Sequence, residues 1–423
     1  MAGPWRNSAF RNLWIAQTFS QFGASITVVA LPLAAFGLHG SAMEVGLLSA
    51  AGTLPYLVVS PFAGVWLDRH SKRLLLVLAD LVRSGLLLVI PLCAVFGILS
   101  VPLLIAIALL VGAATVVSDV GYTACLPTLV RTEELVHSNS MIELSSSGSL
   151  ILGNSVGGMA VQLFTAPLTI LANTATALLS AFFTRGIPPE RAGVRVSRQE
   201  GAIWREVRLG IAFILGNRSL RALTGASGTF NLFLFLSEPA FLVYVVRSQG
   251  LTPFQIGVVF SASGAGTLAG ALVATRAIER LGVSAALTGS LAIAGATSAI
   301  VPAAGAAPHA LIPALTAVAH FLMSAMVIVF NITQRSVRTA LTPEALYGRM
   351  NASIRMIVMG VAPLGSVLGG WLTTAVGPRA ALVAGAIGMA TAFLWLRPFR
   401  LDPSCLALTG AGTNRRPRPY SKP

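Results

Sequence analysis

Between Leu74 and Gly97 the chain runs 24 residues with only Asp80 and Arg83 charged, and comparable apolar stretches recur along its length. About 20 predominantly apolar residues in one helix cross the hydrocarbon core of a bilayer. Charged residues are 10% of the 423 and hydrophobic ones 55%, against about 25% charged in soluble domains. So little charge cannot cover a water-facing surface of this size. The period-two alternation of a membrane barrel strand is absent from the sequence. The pattern predicts an all-α integral membrane protein.

Twelve transmembrane helices are expected, at roughly 11–37, 43–67, 74–97, 101–126, 139–164, 167–185, 220–246, 253–276, 284–304, 309–333, 351–375 and 378–396. On this placement the N-terminus, the even-to-odd connections and the C-terminus hold 25 of the 29 Lys and Arg residues, counting Arg11, Arg185, Arg221 and Arg276 at the adjoining span ends. The opposite side holds two, Arg247 in a connection and Arg379 at a span end, and Arg83 and Arg355 fall deeper inside spans. Basic residues collect on the cytoplasmic side of membrane proteins, so both termini are expected there. This reading absorbs the net charge of +15 without a nucleic-acid partner. Cys93, Cys125 and Cys405 are scattered, which argues against a disulfide framework or a zinc site.

Four regions follow: residues 1–185 and 220–396 as six-helix halves, 186–219 as a basic linker, and 397–423 as a basic tail expected to be disordered. In the linker Trp204, Val207, Ile211 and Ile214 share a helical face. They fit an amphipathic helix on the inner leaflet, with Arg205 and Arg208 toward phosphates. A tether leading into the seventh span fits equally well.

The halves repeat one another. Asn139 matches Asn351, and Gly153-x-x-x-Gly157-Gly158 matches Gly365-x-x-x-Gly369-Gly370, at an offset of 212. Asp68-Arg69 matches Glu279-Arg280, and Gly46 matches Gly257, at 211. Parallel repeats imply a pseudo-twofold axis along the membrane normal and a substrate site between the halves near the midplane. The glycines themselves are expected to serve close helix packing.

The stretch Gly64-Val-Trp-Leu-Asp68-Arg69-His70-Ser71-Lys72-Arg73 resembles the signature loop of the major facilitator superfamily, with Ser71 where glycine is usual. Leu126-Pro127-Thr128-Leu129-Val130, Trp204 to Gly210 and Leu346 to Asn351 resemble its branch of macrolide and siderophore exporters. The resemblance implies two pseudo-symmetric six-helix halves that rock about a central cavity. Two departures stand out. Asn154 replaces the proline of the drug-antiporter glycine motif, and Leu110 to Thr115 carries no membrane-embedded arginine.

An ionisable group within a span is costly, roughly 2.5–3.5 kcal/mol on insertion scales, so each one is a candidate. Glu238, in the outer half of span seven, shares a helical face with Asn231. Ser20 and Thr27 are their repeat partners in span one, which also offers Gln17 and Gln21. By family resemblance these six line the cavity; a helix–helix hydrogen bond within one half is the alternative. Asp80 and Arg83 lie one turn apart in span three, with Asp119 at similar depth in span four. They suggest a buried charge cluster, structural or serving as a proton relay. Glu238, Asp80, Arg83 and Asp119 are the proton-coupling candidates.

The resemblance also pairs span two with span eleven and span five with span eight. That sets Asp68, with Arg69, Lys72 and Arg73, against Arg355, and Glu143 against Arg276 and Arg280, as a cytoplasmic gate.

Export of an amphipathic small molecule such as an antibiotic or siderophore, by proton antiport, is the expected function. Nutrient import or a non-transporting sensor is the alternative. The expected setting is a bacterial inner membrane, with substrate, protons and lipid as partners and a monomer as the working unit. Neither enzyme chemistry, a cofactor nor a metal is expected.

Overall fold

The computed structural model describes residues 4–188 and 200–396. Every described regular element is a helix. The first half comprises α1 (Ser8–Gly37), α2 (Ala42–Val58), α3 (Ser60–Arg69), α4 (Lys72–Val95), α5 (Val101–Leu129), α6 (Leu135–Leu163) and α7 (Ala166–Arg185). A connecting helix, α8 (Glu200–Gly216), leads to α9 (Arg218–Val243), α10 (Pro253–Leu281), α11 (Val283–Ser298), α12 (Ile300–Ala304) and α13 (Ile312–Leu341). The last three are α14 (Glu344–Gly360), α15 (Ala362–Val376) and α16 (Pro378–Thr391).

Each of the twelve expected segments coincides with one helix or two consecutive ones. Among the described residues ten helical stretches are long and apolar enough to cross a membrane, and α2 is a shorter apolar helix. The long helix α6 falls outside the ten, because His137 to Ser149 is rich in serine and other polar residues. Spans two and eleven are each broken. Pro61 and Pro363 lack the N–H that would continue the ladder, and the helix restarts at Ser60 and Ala362. Pro239 lies within an uninterrupted α9.

In the first half α1 packs on α6 and α7, α4 on α5 and α7, and α2 on α5. In the second, α9 packs on α15 and α16, and α13 on α10 and α11. The halves meet through α6 on α10 and α2 on α15.

The repeated glycines make these contacts possible. A methyl group on Gly158 would lie 2.5 Å from the Pro253 carbonyl oxygen and 2.9 Å from the Gly257 Cα. One on Gly46 would lie 2.6 Å from the Ser366 carbonyl oxygen and 2.9 Å from the Gly370 Cα. Because Gly46 is the mate of Gly257, and Gly158 of Gly370, the two contacts exchange under the pseudo-twofold axis. The other motif glycines act within a half: Gly153 and Gly157 seat α6 on Ser25 and Ile26 of α1, while Gly365 and Gly369 seat α15 on Leu232 and Leu236 of α9.

Residues 200–216 of the linker form α8. Ile214 is buried with Leu220, Met350 and Ile354, so the C-terminal end of α8 packs on the second half, while Arg205 and Arg208 are exposed. The side chains of Trp204 and Val207, linker residues 189–199 and the basic tail lie outside the described residues.

Candidate functional site

A buried polar cluster ties four helices of the first half together. Asp80 and Arg83 are 0% and 3% exposed, with Nη2 of Arg83 3.6 Å from Oδ1 of Asp80. Ser180 on α7 donates to Oδ2 of Asp80 at 2.5 Å. The Tyr122 hydroxyl on α5 lies 2.8 Å from Ser180 Oγ and 3.5 Å from the same carboxylate oxygen. Arg83 Nη1 donates to Ser20 Oγ on α1 at 2.9 Å. The hydrogen bonds engage Asp80 Oδ2 and Arg83 Nη1, while Asp80 Oδ1, Arg83 Nε and Arg83 Nη2 have none among the described residues, so the mutual attraction of the pair offsets part of the cost of burying two charges.

Asp119 shares no hydrogen bond or close ion pair with Asp80 or Arg83 among the described residues. It accepts a 2.6 Å hydrogen bond from the Tyr56 hydroxyl on α2. The Arg355 guanidinium on α14 sits 5.8 Å from the centre of the Tyr56 ring, within the range of cation–π attraction. Tyr56 thus bridges a carboxylate of one half and a cation of the other.

Two cavities lie at the junction of the halves. One, about 270 Å³, is walled by first-half residues including Thr27, Tyr56, Arg83 and Asn173, together with Glu238. The other, about 560 Å³, is walled mainly by the second half, including Phe235, Phe241, Phe260 and His320. Val28 and Glu238 line both. Glu238 has no hydrogen-bond or ion-pair partner among the described residues.

The expected cavity strip therefore divides. Repeat partners Thr27 and Glu238 line a cavity, and Thr27 also accepts a 2.6 Å hydrogen bond from Asn173. Of their counterparts seven residues earlier, Ser20 is buried against Arg83, and Asn231, half-buried, donates to the Ser227 carbonyl of its own helix at 2.9 Å. Gln17 and Gln21 are half-buried and border neither cavity.

A family model described as "Transmembrane secretion effector", of the major facilitator type, matches residues 1–418. The chain belongs to the major facilitator superfamily. Its apolar helices and this family match make it a multi-pass membrane protein. It is 25% identical to macrolide efflux protein A of Streptococcus pyogenes over 266 residues, covering 62% of this chain and 65% of that relative's length. It is 26% identical to the multidrug efflux pump Tap of Mycolicibacterium fortuitum over 381 residues, covering 87% and 90%. The fold matches a bacterial homologue of the iron transporter ferroportin in its inward-facing state with a TM-score of 0.72, 15% identity, and coverage of 92% and 98%.

In this transporter the two ends of the bundle differ. At the end away from the termini, Arg247 Nη2 donates to the Gly40 carbonyl at 2.5 Å and its guanidinium lies 5.3 Å from the Phe36 ring centre. There Phe254 N–H donates to Gln162 at 3.3 Å, and the Ser155 and Ser261 hydroxyls are 2.7 Å apart. At the termini end Glu143, Arg276, Arg280 and Arg355 are exposed. No ion pair joins Glu143 to Arg276 or Arg280 among the described residues. Arg73 donates to the Ile187 carbonyl at 3.2 Å, and Lys72 opens α4. The side chains of Asp68 and Arg69 lie outside the described residues, while their helix, α3, packs chiefly on α5 of its own half.

Sequence reasoning missed four residues. Tyr56 and His320 were lone polar groups in apolar segments, and Arg247 was counted only as a topology signal. Arg338 was assigned to a connection, yet α13 extends to Leu341. Arg338 is buried there and donates to Ser227 at 3.3 Å, within a chain that runs on through Gln334 and Asn331.

Proposed function

We propose that this transporter exports amphipathic small molecules, macrolide-like compounds among them, by proton antiport and alternating access. The observation that carries the reading is Glu238. It is a carboxylate without a partner among the described residues, shared between the cavities of the two halves. A group so placed serves both halves as they rock, taking a proton on one side and giving it up on the other. Glycine contacts at one end and exposed, opposed charges at the other fit a molecule open toward its termini. The basic connections support a cytoplasmic position for that end. Asp68, Arg69, Lys72, Arg73 and Arg355, with Glu143, Arg276 and Arg280, then form the gate that closes in the opposite state. A maleimide reagent applied outside intact cells should label a cysteine at Gly250 and spare one at Ser197; the reverse pattern inverts the orientation.

The efflux relatives support export over import. The direct test is accumulation of a radiolabelled macrolide in an efflux-deficient bacterial host. Cells expressing the protein should hold several-fold less label than cells carrying the empty vector. Equal or greater accumulation contradicts export of this class.

A further inference from the structure

His320 stands in α13, on the wall of the 560 Å³ cavity, and has no part in the coupling scheme above. Its Nδ1 lies 3.0 Å from the Thr316 carbonyl oxygen one turn earlier. A carbonyl only accepts, so Nδ1 carries the proton and the neutral ring presents Nε2 as an acceptor. The imidazole is held by two aromatic rings: Phe241 of α9, with centroids 4.6 Å apart, and Phe260 of α10, edge-on at 6.2 Å. Nε2 has no protein partner among the described residues. Two of the three cavity serines, Ser237 and Ser298, are committed to carbonyls of their own helices. Ser237 donates to the Phe233 carbonyl at 2.9 Å, and Ser298 to the Gly295 carbonyl at 2.6 Å.

The cavity therefore has an aromatic body and a fixed polar point on one wall, with Glu238 on another. Its volume falls in the range of small-molecule pockets. A site built to pair with a donor rejects the analogue that lacks one far more strongly than an apolar wall rejects a change of size.

We propose that His320 is a specificity-determining residue for the transported compound. Its Nε2 accepts a hydrogen bond from a hydroxyl or amino group, while the compound's apolar body fills the space beside Phe241 and Phe260. This rests on the export reading, and it adds a chemical requirement: at least one hydrogen-bond donor on an otherwise lipophilic molecule.

Two dyes of equal charge isolate that requirement. Rhodamine 123 carries N–H donors, and its tetramethyl counterpart, tetramethylrhodamine methyl ester, carries none. Binding of each to the purified full-length protein is measured by fluorescence anisotropy at pH 8, above the ordinary range of an imidazolium. The wild type should bind rhodamine 123 about tenfold more tightly than the tetramethyl dye. The preference should vanish in His320→Leu and persist in His320→Gln, whose amide oxygen still accepts. A wild type without preference, or a preference unchanged in His320→Leu, overturns the proposal. Failure of both dyes to bind overturns it as well, and leaves export to be judged separately by macrolide accumulation.

Discussion

At the scale of single residues, the first half holds an ion pair whose burial sets its sensitivity. Asp80 and Arg83 are almost wholly out of reach of water. Removing one partner of a buried pair costs roughly 3–5 kcal/mol, whereas replacing both with apolar side chains of similar size is often neutral. Asp80→Ala should therefore lower the thermal unfolding midpoint of the detergent-purified protein sharply, with Arg83 left facing Ser20 alone. Asp80→Leu combined with Arg83→Met should restore most of the loss. The same double variant separates two roles. If the pair is structural, the restored protein still transports; if it relays protons, the protein is stable and inactive. The existence of this pair was legible in the sequence, because two charges one turn apart in an apolar span have to find each other. The placing of Asp119 was not legible. Which of several polar groups at one depth are neighbours depends on helix rotation, and a single tyrosine, Tyr56, took the contact that the charge pattern assigned to Arg83.

At the scale of elements, the repeated glycines were the most informative signal in the chain. Their spacing marked helices that approach a neighbour closely, while the family resemblance supplied the pairing across halves; in the structure they divide between contacts inside a half and contacts across halves. Gly158→Val places branched carbons where the Pro253 carbonyl already sits, and a backbone cannot yield as a flexible side chain does. Gly370→Val does the same against Met43 and the Ala42 carbonyl. These mates should behave alike, lowering transport at least about tenfold as overpacked contacts do. Each should also reduce disulfide formation between cysteines introduced at Ser155 and Ser261, whose hydroxyls are 2.7 Å apart. Gly148, on the same helix with nothing within 4 Å of its missing methyl group, should accept valine with little effect on either readout. Equal cross-linking in all three variants would mean that the helices close without using these glycines. The breaks at Val59 and Val361 followed from prolines visible in the sequence, though the spans were read as continuous. Hydropathy registers apolar length and is blind to a missing N–H.

At the scale of the whole molecule, composition, charge asymmetry and the internal repeat together specified a two-half membrane bundle, and the family match over residues 1–418 agrees with them. Less legible was the meeting of the two cavities at Val28 and Glu238, since a site between repeats is built from residues that no local window contains. The central claim is that proton movement drives compounds outward through this junction. It is tested most directly in proteoliposomes holding the purified transporter, with a proton gradient imposed and a labelled macrolide present at equal concentration on both sides. The wild type should move label against its own gradient, and collapsing the proton gradient should stop it. Glu238→Gln should lose uphill movement while still exchanging labelled for unlabelled compound. Uphill movement that persists in Glu238→Gln, or in wild type after the proton gradient is collapsed, would contradict the account.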